Sequence, residues 1–440
     1  MRLELRNPWV LMTLRGKVTF VVGAVLAAVS VLFGQRDALL LGLLLLFLPL
    51  AAAVFVDRTR LKLSCERKVA PGRAAIGEQM TGTLALDRHG KLPVGVLRFE
   101  DQVPPALGPR PRFTLQNLAA EWSREVSYTL TGSQRGRFRT GPLLVRVSDP
   151  FGMAALDRRF NATSEVMVTP RIVPLDSMGN AGGTGSTGEA RPQRLGLSGQ
   201  DDILVREYVR GDDVRRIHWR STARHGELMV RQEEQAWDPS ATVLLDSREQ
   251  AHRGSGPRGS FEWAVSLTAS LAVHFLTEGY AIILFGADGP LADPQLGDLG
   301  KATSRREAIA QLTDVTLADS TDLSRAAEAT LRGVGSQMTI AVLGLMSSAD
   351  AAQLVEMHRN QAYAMAWVLD VDGWADTADG ADRPETAGRT GADRTPAAVL
   401  ADHDRAVALL QDAGWRVVRV TSEMTVDDAW VRMSRMGELL

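Results

Sequence analysis

Two uninterrupted apolar runs near the start of the chain, Val18–Gly34 and Leu39–Val56, constrain everything that follows them. At 17 and 18 residues they reach the lower limit for crossing a hydrocarbon core as helices, and only Gln35-Arg36-Asp37-Ala38 separates them. The second run holds nine leucines. At roughly −0.5 kcal/mol each near the bilayer centre, these favour insertion by about 4 kcal/mol. Pro49 is compatible with this, since a kink is tolerated in a membrane helix. A secretory signal is the rival reading of the first run, but no small-residue cleavage site precedes the second. Residues 1–57 are therefore read as a transmembrane hairpin with helices at about 18–34 and 39–56. Arg2, Arg6, Arg15 and Lys17 precede it, Arg58, Arg60, Lys62, Arg67 and Lys68 follow it, and its turn carries one arginine. The positive-inside rule then places both termini and the soluble body in the cytoplasm.

Beyond the hairpin the apolar period changes twice. Over 58–175, short alternating runs at Thr81–Leu86, Val94–Phe99, Val126–Leu130, Leu143–Val147 and Glu165–Val168 predict strands of an all-β, sandwich-like domain. Asp87-Arg88-His89-Gly90-Lys91, Gly132-Ser133 and Thr140-Gly141-Pro142 read as its turns, and Arg135–Phe138 and Asp149–Gly152 as corners. Residues 176–202 read as a flexible linker. Its Gly183-Thr184-Gly185-Ser186-Thr187-Gly188 matches a dinucleotide fingerprint, but lacks the strand before and the helix after that would hold a pyrophosphate.

From 203 to 440 strands and helices alternate. Strands are predicted at Ala241–Leu245, Tyr280–Phe285, Met338–Leu345, Ala364–Leu369 and Trp415–Val420, with helices between them, which implies a parallel sheet covered on both faces. A polar insertion occupies 372–398. The single cysteine, Cys65, excludes an internal disulfide.

The stretch 206–231, REYVRGDDVRRIHWRSTARHGELMVR, is the densest cluster of charge, with seven arginines against four acids. Asp212 or Asp213 is a candidate N-cap for a helix over Val214–Trp219, with a turn at Ser221, Thr222 and Gly226. Arginine forks and carboxylates at this spacing suit an ion-pair lattice. Trp219 reads as a core anchor, and His218 and His225 as hydrogen-bonded structural residues. The pattern Arg206, Tyr208, Gly211, Asp212, Arg215, His218, Trp219, Arg220, Ala223, Arg224 and Gly226 resembles the signature of the bacterial domain-of-unknown-function family numbered fifty-eight.

That resemblance implies a von Willebrand factor A-like α/β domain in the bacterial cytoplasmic membrane. It also implies association with a MoxR-type AAA+ ATPase and with other membrane proteins. Such domains often hold Mg²⁺ at strand ends through Asp-x-Ser-x-Ser plus a threonine and a later acid. Here the first element reads Asp246-Ser247-Arg248-Glu249-Gln250, so that only Asp246, with Thr321 as the threonine, survives as a degenerate metal candidate. A guanidinium has no lone pair for a hard cation. No cofactor is expected.

Chemistry is sparse elsewhere. There is no phosphate-binding loop and no Gly-x-Ser-x-Gly elbow, and the seven histidines show no zinc spacing. The expected function is a non-enzymatic, membrane-anchored interaction or assembly module. The alternative is an enzyme using Asp212, Asp213 and His218 with neighbouring arginines as anion clamps. With acids interleaved and a net charge of −2, no nucleic-acid partner is expected.

Overall fold

The computed structural model describes residues 8–58, 63–89, 96–116, 121–176, 205–207, 219–231, 240–291, 301–302, 304–332, 338–358, 363–375 and 395–437. Met1–Arg171 with Leu312–Asp314 form one compact unit, and Ile172–Gln311 with Val315–Leu440 a second. Of the expected linker over 176–202, all but Asp176 lies outside the described residues, the glycine motif included.

In the first unit a short helix α1 (Pro8–Leu11) leads into α2 (Leu14–Phe33) and α3 (Arg36–Arg58). These are the two helices read from the apolar runs, and both are long and apolar enough to cross a membrane. Gly34 closes α2 at φ 68°, with its N–H bonded back into the last turn. The pair packs closely through glycine. A Cβ on Gly23 would stand 2.6 Å from the Leu46 nitrogen, and one on Gly42 2.7 Å from the Ala27 nitrogen. Small residues at such a seam let membrane helices approach where no hydrophobic effect drives them together. Gly42→Ile is therefore expected to part the hairpin, read as a lower melting temperature of the full chain in detergent micelles. An unchanged melting temperature would show that the seam does not depend on close approach.

The β-rich part follows as β1 (Leu63–Ala70), β2 (Arg73–Ala75), β3 (Gln79–His89), β4 (Val96–Asp101), β5 (Arg112–Leu115), β6 (Glu121–Thr131), β7 (Gly136–Thr140), β8 (Leu143–Ser148), β9 (Ala155–Phe160) and β10 (Ser164–Thr169). They form sheets β1-β3-β6, β2-β10-β7 and β5-β4-β8-β9. Leu84 and Leu86 of β3 share one core with Leu97 and Phe99 of β4 and with Leu143, Val145 and Val147 of β8. Two readings change. Asp87-Arg88-His89, read as a turn, is the end of β3, and Arg88 is buried at 2 % exposure. Gly136–Phe138, read as a corner, is strand β7. Buried inside this unit, Arg67 donates to Asp101 at 2.5 Å, and the Tyr128 hydroxyl donates to the other Asp101 oxygen. Burial first, then Asp101, raises the Tyr128 pKa above its ordinary value. Burial likewise pushes the Cys65 thiol up.

The second unit contains β11 (Val205–Glu207), α4 (Trp219–His225) and β12 (Met229–Arg231), then a wound sheet. The elements run β13 (Ser240–Leu245), α5 (Ser260–Thr277), β14 (Ala281–Gly286), β15 (Gly289–Pro290), β16 (Lys301–Ala302), α6 (Arg305–Asp314, its last three residues counted with the first unit), α7 (Ser324–Arg332), β17 (Met338–Leu343), α8 (Ser348–His358), β18 (Tyr363–Leu369), α9 (Asp372–Ala375), α10 (Pro396–Asp412), β19 (Arg416–Val420) and α11 (Val426–Gly437). Strands β14, β13, β17, β18 and β19 are parallel neighbours in that order, and β15 and β16 add antiparallel edges. Alanines of α7 and residues of α8 and α10 pack with Leu244, Phe285, Leu343 and Val368 in one core. Elsewhere Trp367 of β18 stacks on Trp430 of α11, 6.3 Å between ring centres. The Trp430 indole also meets His274 and Phe275 of α5.

Candidate functional site

Winding reverses between β13 and β17. From β13 the chain crosses through α5 to β14 on one side, and later returns to place β17 on the other. Open α/β sheets bind ligands in the crevice outside the carboxyl ends of the strands at such a switch point. In this chain that crevice holds one of its own side chains.

Asp246 ends β13 and is fully buried, and Arg248, two residues on, is 1 % exposed. Arg248 Nε donates to Asp246 Oδ1 at 2.9 Å and Nη2 to Oδ2 at 2.8 Å, a two-pronged pair. Nη1 donates to Asp350 Oδ2 at 3.0 Å and to the Thr321 carbonyl at 3.4 Å, and Nη2 to the Leu345 carbonyl at 3.2 Å. A guanidinium has five N–H groups, and these contacts occupy all of them.

The surroundings hold the arrangement in place. The Arg248 N–H and the Gly344 N–H both donate to Asp246. Asp350, in the first turn of α8, accepts from the Ser347 N–H and hydroxyl at 2.9 Å each. A Cβ on Gly344 would overlap the Ala251 carbonyl oxygen, so only glycine lets the loop after β17 lie this close. The 316–321 loop is pinned by Ala318, which donates to Ser247 O at 2.7 Å and accepts from the Glu249 N–H at 2.9 Å. Burial disfavours charge at both partners, yet the pairing outweighs it. Asp246 stays below the usual carboxylate range and Arg248 above its ordinary value.

His252 completes the floor. The Asp246 carbonyl, 2.6 Å from its Nε2, can only accept, so Nε2 carries the proton and Nδ1 accepts from Ser260 Oγ at 3.1 Å. His403 Nδ1 accepts the Met346 N–H at 3.2 Å. Burial lowers the pKa of both, so both are neutral in the folded chain. The unfolded chain then binds more protons below about pH 6.5, and stability falls as pH drops through that window. For His252 the loss is at most about 1.4 kcal/mol per pH unit, down to its folded pKa. The melting temperature is expected to fall between pH 7 and pH 5, and His252→Gln is expected to flatten that slope. An unchanged slope in the variant would assign the titration elsewhere.

Both Asp246 oxygens face Arg248, and Thr321 contributes its carbonyl, to Arg248 and to Gln250 Nε2 at 2.5 Å. The residues do not fit a divalent ion, because a guanidinium takes the cation's place among the oxygens. Among the described residues no group of three or more His, Cys, Asp or Glu could hold a metal. Asp350, His252 and Ser347 belong to the cluster and were not singled out from sequence, since only the strand order brings position 350 to position 248.

Of the signature, Arg206 pairs through its backbone with Val230 across β11 and β12. Trp219, Arg220, Ala223 and Arg224 lie on α4. The helix begins where one was expected to end: Ser221 and Thr222 are helical, and Gly226 at φ 79° terminates it, with its N–H on the Thr222 carbonyl. Trp219 is 68 % exposed, not a core anchor. Tyr208, Gly211, Asp212, Asp213, Arg215 and His218 lie outside the described residues, and with them most of the expected ion-pair lattice and the alternative acid–base set.

Among solved structures, the chain is similar to the CARDB domain of a Pyrococcus furiosus protein crystallised with di-metal ions (17 % identity, 24 % of this chain and 93 % of that one, TM-score 0.19). It is also similar to a Bifidobacterium adolescentis GH3 beta-glucosidase (14 %, 28 % and 20 %, TM-score 0.17). The Uncharacterized protein YeaD of Bacillus subtilis (strain 168) is 24 % identical over 217 residues, 46 % of this chain, and the match spans 50 % of that protein. Residues 204–362, which carry both the arginine-rich signature and the Asp246–Arg248–Asp350 cluster, match the family described as Protein of unknown function DUF58.

Proposed function

We propose that the chain is a membrane-anchored, non-enzymatic interaction module. In this reading its second unit is a von Willebrand factor A-like domain that works at the cytoplasmic face with a MoxR-type AAA+ ATPase. The observation that carries the reading is the filled switch point. Where such sheets take a small ligand, every donor of Arg248 is already spent on the protein. What remains at the carboxyl edge is a rim of exposed side chains, Glu249, Asp288, Leu317, Asp319 and Asp322, with Arg325 3.7 Å from Asp288 as its one paired cation among the described residues. A predominantly acidic rim with one exposed leucine suits a protein surface bearing basic residues.

The test is affinity purification of the tagged full chain from native membranes, alongside a Glu249→Lys/Asp319→Lys variant. Recovery of an AAA+ ATPase with the parent, and its loss with a variant of unchanged melting temperature, supports the reading. Equal recovery with both would move the contact off this rim. Recovery of no ATPase by the parent overturns the partner.

A further inference from the structure

The first unit carries a surface that the hairpin alone does not explain. The turn Asp149–Ala154 between β8 and β9 is fastened to the start of α2. The Thr13 N–H donates to the Met153 carbonyl at 2.8 Å, the Thr13 hydroxyl donates to the Gly152 carbonyl at 2.7 Å, and Met12 bridges Ala154. A side chain at Gly16 would overlap the Met153 carbonyl oxygen. On α3, Ala52, Ala53 and Val56 are buried with Leu11, Ala154 and Leu156.

These contacts fix the depth of the turn. Gly16 lies two residues before the first apolar run, about 3 Å along the helix, and Val56 is the last residue of the second. The turn is therefore level with the point where both helices pass from apolar to polar sequence. Around this level four large apolar side chains are exposed: Trp9 at 45 %, Val10 at 75 %, Leu14 at 79 % and Phe151 at 63 %. Two cations accompany them. Arg15 is exposed, and Lys17 Nζ lies 5.5 Å from the centre of the Trp9 ring. Tryptophan, lysine and arginine together mark a membrane–water boundary. The turn is also prepared for a dry setting, since the Asp149 carboxylate accepts the N–H groups of Phe151 (2.9 Å) and Ala154 (2.6 Å). Backbone amides satisfied within the protein avoid the penalty that a low-dielectric layer imposes on unpaired ones.

We infer that α1 and the Asp149–Ala154 turn form a collar seated in the phospholipid headgroup layer, with Phe151 and Val10 in contact with lipid. The β-rich part is then a membrane-contacting body rather than one suspended in water. The inference rests on the reading of α2 and α3 as membrane-spanning helices.

Because Cys65 is the only cysteine, site-directed spin labelling can test it. In a Cys65→Ser background, single cysteines at Phe151, Val10, Val25 in mid-α2 and Gln134 on an exposed loop of the β-rich part are labelled. The full chain is reconstituted in phosphatidylcholine–phosphatidylglycerol vesicles. The labels at 151 and 10 are expected to show a severalfold loss of collisions with a water-soluble nickel complex relative to 134, and to lie shallower than 25. If the label at 25 is deep while those at 151 and 10 match 134, the collar is wrong and the spans stand. If the label at 25 also matches 134, the membrane reading fails and the collar with it. Should Phe151→Cys fail to fold, Val10→Cys decides by the same comparison.

Discussion

Replacing Arg248 by alanine is expected to lower the melting temperature by roughly 10 °C. Removing one partner of a buried, hydrogen-bonded ion pair costs about 3–5 kcal/mol, because the other charge stays buried without compensation. Each kcal/mol moves the midpoint of a domain of 150–250 residues by about 2–4 °C. Here two carboxylates are left behind, Asp246 at 0 % and Asp350 at 4 % exposure. Arg248→Lys is expected to lose less, since it keeps the charge but not the fork that meets both Asp246 oxygens. Adding Asp246→Asn and Asp350→Asn to the alanine variant is expected to recover part of the loss. A triple variant as unstable as the single one would show that packing, not charge, is what Arg248 supplies.

The same cluster makes a second, sharper expectation. In Arg248→Ser the vacated position is bounded by the Asp246 and Asp350 carboxylates and the Thr321 and Leu345 carbonyls. This is an all-oxygen set of the kind that suits a hard divalent cation. Millimolar Ca²⁺ or Mg²⁺ is expected to raise the melting temperature of this variant and to leave that of the parent unchanged. No response in the variant would mean that the oxygens relax away from the site once the guanidinium is gone.

Asp101→Ala is expected to cost a similar 3–5 kcal/mol in the β-rich unit. The Arg67 and Asp101 side chains are 1 % and 0 % exposed, and Asp101 also accepts the Tyr128 hydroxyl. Among the described residues Arg67 Nε and Nη1 have no hydrogen-bond partner, so Asp101 is the group that offsets the burial of this charge. The double change Arg67→Met/Asp101→Val is expected to be far milder than either single truncation, because it removes both charges at similar volume. Chemical denaturation followed by hydrogen exchange of the β1, β3 and β6 backbone amides measures this. Additive losses in the double variant would refute the pairing as the source of the cost.

Legibility in the sequence followed burial. β13, β17 and β18 are buried along nearly their whole length, so each appears as an apolar run, broken only by Thr242 in β13 and Thr339 in β17, and its bounds follow within a residue or two. The hairpin was legible for a different reason: its helices are apolar on every side although largely exposed in the structure. β1 was not, because its inward positions include Arg67, and an arginine at a core position breaks the alternation that signals a strand. Arg88 hid the end of β3 in the same way. At the candidate site, sequence showed that Arg248 spoils a metal motif, yet not that the arginine takes the metal's place. That needs Asp350, brought from 102 positions away by the pairing of β13 with β17. Thr321 was chosen for its hydroxyl, whereas the fold uses its backbone oxygen, which no sequence pattern specifies.

The fastening of Thr13 and Gly16 to the Gly152–Met153 turn leaves no swivel between the hairpin and the β-rich part. Were α2 and α3 to span a bilayer, shortening its acyl chains would leave their apolar stretch too long for the core, and such a stretch answers by tilting. With a rigid joint, that tilt becomes a rotation of the attached body. Bilayer thickness is thereby expected to act as a mechanical input, measurable as a change in distance between Gln134 and the vesicle surface when acyl chains are shortened. A distance that does not respond would mean that the lipids, rather than the protein, absorb the mismatch.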